Sequence, residues 1–100
     1  NIKLGPVDWH HRVGDIGIMI GDKSSWGKGY AGEAISLLCD FAFNTLKLYK
    51  LEAGAYENNL GSIKAFLKVG FIEEGRQRKR FHYKNEYVDK VLLGKINDIL

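Results

Sequence analysis

Hydrophobic residues in this chain alternate in some stretches and recur at helical spacing in others, and the two periods lay out its elements. Over residues 14–20, Ile16, Ile18 and Ile20 fall on one side and Asp15, Gly17 and Met19 on the other, the period of a half-buried strand. Over residues 30–47, Ala31, Ala34, Ile35, Leu38, Ala42 and Leu46 recur at helical spacing and predict the clearest helix. Leu51, Ala53 and Ala55 alternate again and predict a strand over 51–56. Asn59 is a favourable N-cap for a short helix over 60–69, with Ile63, Phe66 and Leu67 inward and Gly70 as its stop. Residues 2–7 are strand-compatible, although Pro6 weakens that strand or confines it to an edge, and residues 8–12 read as a loop. Residues 71–74 and 80–83 look extended, Lys84 and Asn85 form a turn, and 87–96 is a last strand. Strand, helix, strand, helix and hairpin make an α/β arrangement, with no internal repeat or linker-like stretch.

Composition narrows the class. The chain has 100 residues, 45% hydrophobic and 27% charged, which fits one globular domain and excludes low complexity, collagen and a disulfide scaffold. No apolar run approaches the ~20 residues that span a bilayer, so no membrane partner is expected. The first residues lack the apolar core and cleavage site of a signal peptide, and the absence of an initiator Met suggests a start within a longer sequence. A lone Cys39 cannot form an internal disulfide and fits a reducing compartment, so a cytoplasmic location is expected. The formal charge of +3 suits an anionic small molecule as well as it suits nucleic acid, which usually demands a stronger basic face.

The candidate chemistry begins in the polar, glycine-rich loop over 21–29. Gly27-Lys28-Gly29-Tyr30-Ala31-Gly32 matches G-x-G-x-x-G after a strand and at a helix start, with Glu52 about 20 residues on. In a dinucleotide fold the first glycine sits in the tight turn directly after the strand, whereas here residues 21–26 intervene. The broader physical reading is an anion site, because free N–H groups and the helix dipole both favour a pyrophosphate. A glycine-rich turn without a ligand is the plain alternative.

The loop and its surroundings resemble the GCN5-related N-acetyltransferase (GNAT) superfamily, and within it the RimJ/RimL-like group. Trp26-Gly27-Lys28-Gly29-Tyr30-Ala31-Gly32-Glu33-Ala34 resembles that group's W-G-K-G-Y-x-x-E-A, with Trp26 where the superfamily pattern Q/R-x-x-G-x-G/A has Gln or Arg. Residues 15–21 resemble the group's fourth strand, Asn59 with Ser62 its N-x-x-S/A helix start, and Lys68-Val69-Gly70-Phe71 with Glu74-Gly75 its K-x-G-F-x-x-E-G. The resemblance implies a mixed, mostly antiparallel sheet flanked by helices, with acetyl-CoA as co-substrate, an amine acceptor and no metal. It implies that splayed strands ending at Ile20 and Tyr56 admit the pantetheine arm. Backbone N–H groups of Ile18, Met19 and Ile20 would bond the pantetheine and acetyl carbonyl. The loop Trp26, Gly27, Lys28, Gly29, Tyr30, Ala31 and Gly32 would hold the pyrophosphate, and Asn59, Ser62 and Phe66 would border the cofactor at the second helix.

The implied reaction is direct attack of a neutral amine on the thioester, with a base for the ammonium proton and an N–H group for the oxyanion. Amines are largely protonated near pH 7, so the base matters. Asp15 is the candidate: it lies eleven positions before Trp26, where histone-type members of the superfamily carry a catalytic Glu, and it points away from the Ile16 face. An Asp making a surface contact at a strand start is the competing reading. Glu33, in the first helical turn, suits a dipole or capping role. Where many members carry a proton-donating Tyr this chain has Phe66, so that role is vacant; Tyr56 is a substitute, though packing suits a strand-end Tyr better. With a thiol pKa near 8.5, thiolate is a tolerable leaving group without help.

Other features have plainer readings. Arg76-Gln77-Arg78-Lys79-Arg80 fits a solvated edge strand better than a nucleic-acid patch, with attraction of the CoA 3′-phosphate between the two. Asp8, His10 and His11 lack a fourth ligand for a metal, and Cys39 reads as a buried small hydrophobe. Trp9, Trp26 and the tyrosines suit core and ligand-rim packing. Family members begin with a strand, two helices and another strand, so residues 1–100 are expected to be a partial domain running from the third strand to the last. A truncated sheet leaves an edge, so a homo-oligomer or strand-exchanged dimer is expected. A non-catalytic CoA-binding or interaction module of the same fold is the alternative from another class.

Overall fold

The computed structural model describes residues 2–18 and 30–98. Its elements are β1 (Ile2–Asp8), β2 (Val13–Ile18), α1 (Tyr30–Asp40) with a π-helical turn (Phe41–Thr45), β3 (Lys50–Tyr56), α2 (Leu60–Val69), β4 (Ile72–Tyr83) and β5 (Glu86–Ile96). The strands form one five-stranded sheet in the order β1-β2-β3-β5-β4. β2 and β3 are parallel, joined by the α1 crossover, and the other neighbours are antiparallel. This is the mixed, mostly antiparallel α/β sheet expected from the resemblance. One parallel pair in an antiparallel setting does not make a dinucleotide-binding fold, which needs a parallel sheet.

Alternation decides which face of the sheet is covered. Ile16, Leu51, Ala53, Ala55, Val91 and Leu93 are buried in one cluster with Ile35 and Cys39 of α1 and Ile63 and Phe66 of α2. Both helices therefore lie on that face. Asp15, Lys50, Glu52, Gly54 and Lys90, offset by one residue, belong to the opposite, open face. Pro6 sits on edge strand β1, where the register shifts between Leu4 and Val7.

The structure departs from several sequence expectations. The long helix does not run regularly to residue 47: after Asp40 it widens into the π turn, with Leu46 N–H donating to Phe41 O at 3.0 Å. Asn97, 4% exposed, closes this exit by donating from Nδ2 to Leu48 O at 3.0 Å and Phe43 O at 3.4 Å. Leu67 is not inward but 46% exposed. Trp9 is not a core residue: it lies in the β1–β2 turn, 59% exposed. Residues 72–83 form one strand, irregular between Gln77 and Phe81, because β5 supplies a ladder that the charged run could not encode. The charged run does lie on an edge strand, as expected.

α2 matches its expected limits. Asn59 Oδ1 accepts from Ser62 N–H at 3.1 Å, and Gly70 ends the helix at φ 112° in the left-handed region. Lys95 Nζ donates to Val69 O at 2.7 Å, placing a cation at the negative end of the helix.

Candidate active site

The feature that organises the site is a gap in the sheet. β2 and β3 pair from Val13 with Lys50 to Ile16 with Ala53, and the ladder stops there. β2 continues to Ile18 on its bonds to β1, and β3 continues to Tyr56 on its bonds to β5. Beyond Ile16 and Ala53 the facing edges of two parallel strands therefore carry backbone groups that no ladder joins. Helices α1 and α2 each follow the C-terminal end of one of these strands, so both helix N-termini flank the same crevice, the usual place for a ligand in a sheet with crossover helices.

The second helix start is firmly held. Asn59 N–H donates to Tyr56 O at 2.9 Å, and Ile63 N–H to Asn59 O at 3.2 Å. Glu57 N–H bonds Asp89 O at 3.0 Å while Asp89 N–H bonds the Glu57 carboxylate, which pins the β3–α2 turn to β5. A groove of about 860 Å³ runs between the two helices, lined among others by Gly32, Glu33, Ser36, Lys64 and Lys68. A Cβ at Gly32 would meet nothing within 4 Å, so this glycine leaves the groove open at the α1 start. Lys64 was not singled out from sequence and Lys68 entered only as the first residue of the K-x-G-F match, yet with Lys95 they are the lysines that line the groove; their spacing on a capped helix was the available signal.

Asp15 lies on the open face, in a shallower hollow of about 650 Å³ that includes Pro6, Asp8, His11, Lys50 and Glu52. Partial burial raises its pKa, the Lys90 cation opposes the rise, and Glu52, its register partner, reinforces it. Lys50 Nζ bridges Glu74 at 2.9 Å and Glu52 at 3.6 Å. Bonding to Glu74 raises the Lys50 pKa, so it stays a fixed cation.

Among the other expected site residues, Ile18 ends β2 and Tyr30, Ala31 and Gly32 open α1, at the crevice. Met19, Ile20, Trp26, Gly27, Lys28 and Gly29 lie outside the described residues. Ser62 is buried in the first turn of α2. Phe66 is fully buried, its ring edge-to-face on Phe71 at 5.0 Å between centroids, which makes it a core residue and not an open cofactor contact. Tyr56 stacks on Phe81 at 4.3 Å and meets Tyr83 edge-on at 5.5 Å, the packing role anticipated for it. Cys39 is buried, and burial raises its thiol pKa, which suits packing rather than nucleophilic attack. His11 Nδ1 and Asp8 Oδ2 are 2.9 Å apart, a local turn contact. The charged run of β4 lies two strands from β3, away from the crevice between β2 and β3.

The Acetyltransferase (GNAT) domain family model matches residues 2–72. The probable N-acetyltransferase YjcK of Bacillus subtilis is 41% identical over 76 residues, which is 76% of this chain and 42% of that protein. Two solved structures of Vibrio cholerae spermidine N-acetyltransferase, one dodecameric and one in complex with CoA and spermine, superpose with a TM-score of 0.85. Both are 25% identical and cover 96% of this chain and 56% of theirs. The chain spans about half the length of the curated relatives it matches. With the split parallel strands, the two helix starts and the family match in agreement, the chain belongs to the GNAT acetyltransferase domain family.

Proposed function

We propose that this chain is the acetyl-CoA-binding part of an N-acetyltransferase that moves an acetyl group to a primary amine. The observation that carries the reading is the gap between β2 and β3, with two helix N-termini beside it. Pantetheine is a strand-like arm with two amides, and the unjoined edges beyond Ile16 and Ala53 offer it backbone partners. The N–H groups of Ile18, Met19 and Ile20 are assigned to the pantetheine and to the thioester oxygen, where charge develops in the transition state. The stretch from Trp26 to Gly32 is assigned to the pyrophosphate at the α1 start, and Asn59 with Ser62 to the second helix start. Lys64 and Lys68, across the groove from Gly32, suit the remaining phosphate.

Asp15 is assigned the base. Partial desolvation raises its pKa, which makes the carboxylate a better proton acceptor than an aspartate of ordinary pKa. Its short side chain suits relay through water. The amine attacks the carbonyl carbon, the C–S bond breaks, and CoA leaves as thiolate; buried Phe66 has no proton to give. The acceptor is assigned to the aliphatic amines: Asp15 and Glu52 put two carboxylates on the open face, and similar solved proteins are named for spermidine and spermine. The W-G-K-G-Y loop supports placement in the RimJ/RimL-like group. β1 as an edge strand, and a dodecameric structural neighbour, support self-association. A lone buried Cys39 supports a reducing, cytoplasmic setting, and no helix among the described residues is long and apolar enough to cross a membrane.

The test is product formation. Incubated with acetyl-CoA, the full-length protein should release CoA thiol in step with acetylated amine when offered spermidine, spermine or peptide N-termini. CoA binding without acetylation of any acceptor would favour the non-catalytic module.

A further inference from the structure

On the open face, a lysine of the chain itself lies over the mouth of the gap. Lys90 stands on β5 opposite Tyr56, and its side chain folds back over Gly54. A Cβ built at Gly54 would lie 2.2 Å from Lys90 Cε and 3.3 Å from Nζ, so the absence of a side chain there is what makes the path available. Gly54 is the first residue of β3 past the last β2–β3 pair. The Lys90 ammonium is therefore delivered to the point where the two strands part.

Its partners differ from those of neighbouring lysines. Lys50 is tied to Glu74 at 2.9 Å, and Lys95 to the Val69 carbonyl at 2.7 Å. Among the described residues Lys90 has no ion pair or hydrogen bond of this kind; Nζ lies 5.8 Å from the Phe81 ring centroid. It is also the cation that acts most on Asp15. A loosely held amine, beside the assigned base and at the mouth of the assigned thioester slot, stands where an acceptor must stand.

We propose that Lys90 is a self-acetylation site, its Nζ taking the acetyl group of acetyl-CoA bound between β2 and β3. The inference rests on the acetyl-CoA reading above. The Lys90 ammonium loses its proton to the Asp15 carboxylate, directly or through water. The neutral Nζ attacks the thioester carbonyl carbon, an N–C bond forms and the C–S bond breaks. CoA leaves as thiolate and takes up, through water, the second proton that the acylated nitrogen releases. The product is a neutral Nε-acetyl amide lying over Gly54, which removes a cation from beside Asp15 and fills the mouth that an external amine would use.

The test is peptide mass spectrometry of the full chain after incubation with acetyl-CoA, with the urea-unfolded chain as reference for chemical acetylation. Lys90 should gain one acetyl group at least about tenfold faster than the median lysine, a small part of the gain that positioning gives. The preference should vanish in the unfolded chain and fall in Asp15→Asn, and Lys90→Arg should lose the mark while folding normally. A second readout needs no transfer: saturating CoA should protect Lys90 from an amine-reactive ester more than it protects Lys47. Acetylation of added spermidine with Lys90 unmarked and unprotected would overturn the proposal and leave the transferase reading standing. No CoA binding at all would overturn both.

Discussion

Removing the Asn97 amide should unfasten the exit of the long helix. Asn97 is 4% exposed and its Nδ2 reaches two carbonyls, Leu48 O at 3.0 Å and Phe43 O at 3.4 Å. The first is a good bond and the second a long one, so with a net value of about 0.5–1.5 kcal/mol each, the pair contributes about 1.5 kcal/mol. Asn97→Ala also leaves buried carbonyl groups short of a donor, which brings the expected loss to about 2 kcal/mol. For a domain of this size that corresponds to a fall in Tm of roughly 10 °C. Urea unfolding at fixed pH measures the loss as a lower midpoint at unchanged slope. Asn97→Asp adds a control of sign. A buried carboxylate facing two carbonyls would have a raised folded-state pKa, so this variant should be least destabilised at acid pH and lose stability as pH rises towards neutrality. A change below about 0.5 kcal/mol in Asn97→Ala, or an Asn97→Asp variant indifferent to pH, would mean that the two carbonyl bonds do not hold this exit.

Other outcomes follow from the same structure. Asp15→Asn in the full-length enzyme should lower kcat/KM by about a hundredfold, the low end for a positioned base, and flatten the acid limb of the pH–rate profile; that limb in the wild type should lie above the ordinary aspartate range, since burial raises the Asp15 pKa. The sign for stability is opposite: a raised carboxyl pKa means that charging Asp15 opposes folding, so Asp15→Asn should hold its stability better than wild type as pH rises through that window, by chemical unfolding. Gly70→Ala should destabilise by about 1 kcal/mol, because φ 112° disfavours any Cβ. Phe66→Tyr should cost about 1–3 kcal/mol without gaining activity, because the ring is fully buried against Phe71 and a hydroxyl there would be unpaired; a faster enzyme would contradict this placement.

Much of the fold was legible because local signals agreed. Leu51, Ala53 and Ala55 alternated and are all buried, and Asn59 and Gly70 mark the ends of α2 where cap and stop residues place them. Elements set by distant partners were not legible. The π turn depends on Asn97, which follows the last strand, and the full length of β4 depends on its pairing with β5. Leu67 sat at a helical spacing compatible with burial, yet the stripe facing the sheet is filled by Ile63 and Phe66. For the site, Asp15 came from the resemblance, by its spacing to Trp26, and from its strand face; the structure puts it on the open face beside Glu52. Lys64, and a binding role for Lys68, were overlooked because a lysine pair looks like any solvated helix face until the facing helix makes a groove. Lys90 was invisible because its meaning comes from Gly54, which is remote in sequence and adjacent across the sheet.

In the proposed function the gap between β2 and β3 is the slot for the thioester arm. Backbone amide NMR of this chain during a CoA titration tests it directly. The account requires the largest shifts at Gly17, Ile18, Gly54, Ala55 and the first turns of α1 and α2, with the β4–β5 turn at Lys84 and Asn85 unmoved. Shifts confined to the basic run from Arg76 to Arg80, or none at millimolar CoA, would contradict it.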